Sequence, residues 1–543
     1  MKLPFKKSAL LFLFVCSVML SNLNAQKSYA FVSKREVSGG TEVKSAFVFN
    51  QNKKEVTFTL PKFKGKISLF EADLSTVFVD GELSSSFGHY QNIRSLPTYK
   101  IEYLIPGGEE VTIEVLTKEL AEGSTPFEAL IEVSYAYKFK GMKAITIKVS
   151  PFKYSKARKI LSFYKTLRFK LVHGTTKNRD KVELFKDFNV LAEDLFINYN
   201  DIESQLTVTD TIKLLIITPK KYKTKLNRFV DWKRKLGFEV KVAIYPSETG
   251  DIEDYMHQHS CTHLILVGAA EDIPSNRFYI KNHKWSKREE SGKAFYSDAP
   301  YSGIDPLAKI FIPQRFVSRI LARTPDQVEQ QLNLFVDFEQ GKFSKGEHTL
   351  FVASAENNGI DQTDIAVFDE IEGKLEHTKI IKVYQGMTKK SVTPETIYNA
   401  LDQKVAIAFY LGHGFETHWS TSRFKGLNDC RRTLFIQPVC LTGTLSKLSL
   451  AEQQMNHNAL GVFASSNNTY WPTSFSITKE IAKQLQTKKF KTIGGLLSSG
   501  VINLSLRGNS LGNPLSEAEF ISNQFHYFGD CTLSPDYLYK LYE

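Results

Sequence analysis

The chain has 543 residues, of which 42% are hydrophobic and 24% charged. That excludes a disordered chain and a single small core, and predicts two or three domains. The formal net charge is +12, or +9 without Lys2, Lys6 and Lys7, but the basic residues are scattered with no RNP stretch, zinc finger or basic helix, so no nucleic-acid partner is expected.

Residues 1–25 carry the three parts of a secretory signal. Lys2, Lys6 and Lys7 form a positive start, Ser8 to Leu20 is apolar, and Ala25 precedes a cleavage position before Gln26. Val15 stands before Cys16 where a lipoprotein signal has a small residue, so lipidation is not expected. No later run approaches the roughly 18 uninterrupted apolar residues of a membrane span, so the mature chain is expected to have no transmembrane segment. Export to the periplasm, the cell surface or the medium follows. Four cysteines survive cleavage (Cys261, Cys430, Cys440 and Cys531), with no CxxC pair, which excludes a disulfide scaffold and a thiolate zinc site.

Residues 26–205 read as a β-rich domain. Phe47-Val48-Phe49 and Val56 to Leu60 are strand-like, and Pro61, Gly107-Gly108 and Gly123 mark turns. Val111 to Val115 and Ala144 to Val149 approach the alternation of a sheet with one wet face. The pattern changes over residues 206–345, where Leu214 to Thr218, Val240 to Ile244 and His263 to Gly268 are apolar strands separated by helix-length segments. It restarts over residues 346–543 with Leu350 to Ala353, Ile380 to Tyr384, Val405 to Leu411, Leu434 to Val439 and Gly461 to Ala464. The fold class predicted is α/β: two α/β halves with mostly parallel sheets, covered on both faces, behind a β-rich domain.

The chemistry concentrates at two strand ends. Tyr410-Leu411-Gly412-His413-Gly414 closes one apolar strand and Cys440-Leu441-Thr442-Gly443 closes the next. Ligands of open α/β sheets bind at the carboxyl ends of strands. If the two strands are neighbours, an imidazole and a thiol share one rim, the arrangement that generates a thiolate near neutral pH. Backbone N–H groups at Gly414 and Cys440 are the candidate oxyanion donors. Taken singly, a Gly-His-Gly turn and a buried Cys are weak signals.

Several blocks, in order, resemble the gingipain family of cysteine peptidases. His413 through Phe424 is similar to their His-Gly block, and Pro438-Val439-Cys440-Leu441-Thr442-Gly443 to their nucleophile block. Leu266 to Pro274, Asp298 with Tyr301, Val317-Ser318-Arg319-Ile320, Ala322-Arg323-Thr324, Leu450-Ala451-Glu452 and Phe528-Gly529-Asp530 resemble the flanking blocks. Cys531 stands where the family has Pro, a departure expected to touch the fold's edge.

The resemblance implies a caspase-like catalytic region, Cys440 as nucleophile, His413 as base, and Glu356 of Ala353-Ser354-Ala355-Glu356 as the carboxylate that orients it. It also implies a β-rich propeptide-like region, whose end Phe185 to Asn200 resembles, and protein or peptide substrates. Asp364 is the counterpart of the acid that selects Arg or Lys before the scissile bond, and Trp471 of the aromatic wall. A competing reading has Asp361, Asp364 and Asp369 holding a structural calcium ion; no cofactor is expected to be required. Two alternatives remain: a transpeptidase like the sortase of the type IX secretion system, with that machinery as partner, and a catalytically silent assembly protein.

Overall fold

The computed structural model describes residues 26–30, 46–50, 55–59, 99–105, 110–120, 123–128, 130–150, 152–155, 160–173, 181–279, 294–303, 311–355, 363–375, 378–386, 392–469, 471–508 and 523–543. The leader at 1–25, Glu356 and Asp361 lie outside them. The described chain forms two units, one within 26–182 and 192–206, the other within 183–191 and 207–543.

The first unit is antiparallel. Its larger sheet runs Gln26–Ala30, Ala46–Asn50, Glu55–Thr59, Ile160–His173 and Val111–Leu120, with Phe152–Ser155 also on Ile160–His173. A second sheet places Met142–Ser150 between Tyr99–Ile105 and Leu130–Phe139. The single wet face expected for Ala144–Val149 is absent: Ala144, Ile145, Thr146 and Ile147 are each at most 2% exposed. Thr146 can face inward because its hydroxyl donates to the buried Glu102 carboxylate at 2.7 Å.

The second unit is built on one ten-stranded sheet. Its strands are β1 (Lys213–Pro219), β2 (Glu239–Tyr245), β3 (His263–Val267), β4 (Phe316–Ile320), β5 (His348–Ala353), β6 (Lys379–Tyr384), β7 (Val405–Leu411), β8 (Leu434–Gln437), β9 (Gly461–Ser465) and β10 (Phe525–Gly529). The lateral order is β2-β1-β3-β4-β10-β9-β8-β7-β5-β6. Every pairing is parallel except β9 with β10. The sheet is therefore two parallel blocks meeting at one antiparallel junction, and their carboxyl ends open on opposite rims. β3, β7 and β9 are buried along their whole length, which is why they read as uninterrupted apolar runs.

Helices cover the faces: α1 (Asn227–Lys235), α2 (Pro325–Glu339), α3 (Asp364–Glu372), α4 (Leu450–Asn456), α5 (Trp471–Thr487) and α6 (Ile493–Gly508). The start of α2 follows from a capping box. The Thr324 hydroxyl accepts from the Gln327 amide at 3.2 Å, and Pro325 occupies the first turn, where no N–H is needed.

The junction depends on glycine. Gly461 and Gly529 are paired across it, and a Cβ on Gly461 would stand 2.5 Å from the Tyr527 hydroxyl. Gly529 has φ +136°, a conformation that favours glycine. It turns Asp530 inward, where its carboxylate lies 2.6 Å from the fully buried Lys233 of α1. Lys233 also reaches Glu339 of α2 at 2.7 Å. Burial pulls the ammonium pKa down, but the two carboxylates more than offset it, so the group stays charged.

Other family blocks meet in comparable pairs. Arg319 binds Asp298 with two nitrogens, both at 2.7 Å, and donates to the Gly268 and Ile273 carbonyls at 2.8 and 3.1 Å. Arg323 grips Glu452 of α4 at 2.8 and 3.1 Å. Cys531 is not at an edge: it is fully buried, with Sγ 3.8 Å from the Leu264 carbonyl oxygen. A thiol fits there because that spot lies in the core, against the start of β3.

The segment Glu183–Leu191 belongs to the second unit. Phe188 stacks on Phe316 at 4.4 Å and Phe185 meets His263 edge-on at 5.2 Å. Asp187, fully buried, accepts from the Lys491 amide (2.6 Å), the Thr492 amide (3.0 Å) and the Thr492 hydroxyl (2.5 Å) just before α6. Burial raises its carboxyl from 3.8 to about 6 against those hydrogen bonds.

Two outcomes follow. Lys233→Met leaves two buried carboxylates facing each other and should cost about 3–5 kcal/mol in urea unfolding. For Asp187 the folded pKa lies above the unfolded one, so its contribution is full below about pH 3.8 and is lost as pH rises through about 6. Between pH 4 and pH 8 the unfolding free energy of Asp187→Asn should gain on the parent by up to roughly 3 kcal/mol; a pH-independent difference would contradict the assignment.

Candidate active site

β7 and β8 are hydrogen-bonded parallel neighbours, with Ile407 opposite Leu434 and Phe409 opposite Ile436. β5 lies on the other side of β7, with Ala353 opposite Leu411. The chain therefore leaves β5, β7, β8 and β9 on the same rim. His413 follows β7, Cys440 follows β8, and the Asn467–Thr469 loop follows β9.

The two turns touch. A Cβ on Gly414 would stand 2.3 Å from the Cys440 carbonyl oxygen and 2.8 Å from Val439 Cγ2, so only glycine allows this approach. The His413 backbone is fixed from below: its carbonyl accepts from the Tyr410 hydroxyl at 2.8 Å and from the Ser420 amide at 3.0 Å. Tyr410 stacks on Trp419 at 4.3 Å, and both rings are fully buried. Burial pushes the Tyr410 phenol up to about 12, so it remains a donor across the physiological range.

Cys261, Cys430 and Cys531 are buried, whereas the Cys440 sulfur is half-buried. Burial raises the Cys430 and Cys531 thiols far above their ordinary value. Cys440 has a backbone donor instead: the Thr469 amide points at Sγ from 3.2 Å, with the Thr469 carbonyl oxygen at 3.5 Å. Thr469 is a residue that sequence reasoning misses; its signal is its place two residues before Trp471, in the loop after the next strand of the block.

Trp471 opens α5 and stands edge-on to the His413 imidazole, with ring centroids 4.5 Å apart at 77°. Its indole N–H donates to Asp364 Oδ1 at 2.6 Å. Asp364 is the first residue of α3, follows the capping Thr363, and is fully buried. Its other oxygen accepts from the Ser354 hydroxyl. The structure thus gathers His413, Gly414, Cys440, Asp364 and Trp471 at one rim. Glu356 lies outside the described residues, which reach Ala355 on the same rim. Asp361 lies outside them as well, and Asp369 sits 3.7 Å from Lys382. Among the described residues no group of three or more His, Cys, Asp or Glu is placed to hold a metal ion, and no helix is long and apolar enough to cross a membrane.

The sequence pattern of peptidase family C25 matches residues 207–536, more than half of the chain. The chain belongs to peptidase family C25. Among curated C25 relatives, gingipain R2 of Porphyromonas gingivalis is 25% identical over 338 residues, covering 56% of this chain and 43% of the relative. Gingipain R2 of a second strain is 24% identical over 409 residues, covering 67% and 53%. The chain thus spans about half the length of the curated relatives it matches. A solved protease structure superposes with a TM-score of 0.50 at 17% identity, over 60% of this chain and 78% of that one, which shows a shared fold. C25 is a family of cysteine peptidases, and its pattern spans the whole rim from Ala353 to Trp471.

The contact between the two turns gives a direct expectation. Gly414→Ala should push the His413 turn away from Cys440 by the order of an ångström and lower kcat/KM for peptide hydrolysis about 100-fold, with unchanged circular dichroism. Wild-type turnover in that variant would show that the close approach is not needed.

Proposed function

We propose that this chain is an exported cysteine endopeptidase of the gingipain type, hydrolysing peptide bonds through a Cys440 acyl-enzyme. The observation that carries this is the half-buried sulfur at the end of β8, with an amide N–H on it, beside the turn that bears the imidazole on β7.

In this reading Cys440 Sγ gives its proton to His413 and attacks the peptide carbonyl. The C–N bond breaks, His413 returns the proton to the leaving amine, and the acyl group stays on sulfur as a thioester. Water, deprotonated by His413, then attacks the thioester carbonyl; the C–S bond breaks, and the acid and the thiol are regenerated. The amides of Gly414 and Cys440 serve the oxyanion. Glu356 orients the imidazole, a role carried over from the family blocks. Export rests on the residue pattern of 1–25.

The charge selectivity that the family blocks imply for Asp364 would require a basic side chain to reach a fully buried carboxylate that already accepts from the Trp471 indole. Alanine at position 440 is the decisive test. Cys440→Ala should drop hydrolysis of a peptide mixture at least about 1,000-fold while leaving the thermal unfolding transition in place. Retained hydrolysis in that variant would remove Cys440 from the nucleophile's role.

A further inference from the structure

Asp364 is the point where three elements of the rim meet. Ser354, fully buried, continues β5 and binds the Leu411 carbonyl through its amide at 3.1 Å, two residues before His413. Its hydroxyl donates to one oxygen of Asp364, and the Trp471 indole donates to the other at 2.6 Å. The same indole stands edge-on to His413 at 4.5 Å. The carboxylate is fully buried and both its oxygens accept from this chain's own neutral donors.

Two consequences follow from general chemistry. A guanidinium or ammonium seeking Asp364 would have to reach a carboxylate with no exposed surface, whose two oxygens already accept from Ser354 and Trp471. An indole held at its nitrogen by a buried acceptor is a fixed ring, and an edge-to-face partner restricts the imidazole beside it.

We infer that Asp364 is a positioning residue, holding Trp471 against His413, and that the primary pocket does not select Arg or Lys by an ion pair. The pocket is walled by a tethered indole rather than floored by a free acid. A residue before the scissile bond is therefore sorted by its fit to that ring, and uncharged side chains are accepted at least as well as basic ones. This rests on the peptidase reading for its kinetic part only.

The experiment uses the full chain and a set of peptides differing at one position before the cleaved bond. The wild type should cleave after uncharged residues with kcat/KM at least equal to that after Arg and Lys; a preference for Arg or Lys of about 10-fold or more would overturn the inference. Asp364→Ala, which releases the indole, should lower kcat about 30-fold on every peptide with KM little changed, because a misplaced imidazole acts on the chemical step. Asp364→Asn keeps an acceptor for the indole without the charge, so it should recover most of that loss and leave the ratio between basic and uncharged residues unchanged. A selective loss on Arg and Lys in Asp364→Asn would identify a pocket acid instead. Tryptophan emission supplies a readout independent of turnover. The component removed by Trp471→Phe should shift in Asp364→Ala and be kept in Asp364→Asn. The same emission in both variants would sink the tether even if the chain hydrolysed nothing, whereas equal inactivity of wild type and Cys440→Ala would sink only the peptidase reading.

Discussion

The antiparallel junction between β9 and β10 is the constraint on which the rest of the second unit depends. Without it, the ten strands would form one parallel sheet with all carboxyl ends on a single rim. With it, β5, β7, β8 and β9 turn their carboxyl ends away from those of β1, β3, β4 and β10. The rim that carries His413 and Cys440 is thereby separated from the loops of the first block. Gly461 and Gly529 permit the close pairing, and the turn after Gly529 delivers Asp530 to Lys233. One short Phe-Gly-Asp stretch thus closes the sheet and ties it to α1 and α2 in the same step.

Chemical difference between like residues follows from that architecture. Four cysteines occupy the unit, three of them in the core, where burial keeps the Cys430 and Cys531 thiols neutral. The fourth sits at a strand tip, where the backbone supplies an N–H and solvent is within reach. Likewise Asp530, Asp298 and Asp364 are all fully or almost fully buried, but Lys233 and Arg319 stand on the first two, whereas Asp364 accepts from a hydroxyl and an indole. The partner of each carboxylate decides whether it acts as a clamp between elements or as a tether for one ring.

Much of this was legible in the chain. Uninterrupted apolar runs gave the strands of the parallel blocks, because burial on both faces leaves no room for alternation. His413 and Cys440 were readable as strand-tip residues from the glycines and apolar runs around them. The lateral order was not, since periodicity within a strand says nothing of its neighbours. β10, at the end of the chain, lies beside β4, more than two hundred residues earlier, and no local pattern encodes that. Ala144–Val149 read as half-wet, but Ala144 through Ile147 are buried in succession, since Glu102 satisfies Thr146 from the neighbouring strand. Asp364 was readable only as the counterpart of a pocket acid in its family block; its engagement by Trp471 spans 107 positions, which no local pattern encodes. The family blocks were visible as blocks, yet their partners Lys233 and Glu339 carried no signal of their own.

Glu183–Leu191 belongs to the second unit while residues 192–206, which follow it, belong to the first. The thread therefore crosses over and back before the peptidase region begins at residue 207. Within the second unit the segment is held by noncovalent forces of its own: Phe185 and Phe188 plug against the starts of β3 and β4 and the Asp187 carboxylate sits at the mouth of α6, so a stretch flanked on both sides by first-unit residues is built into the second unit's core.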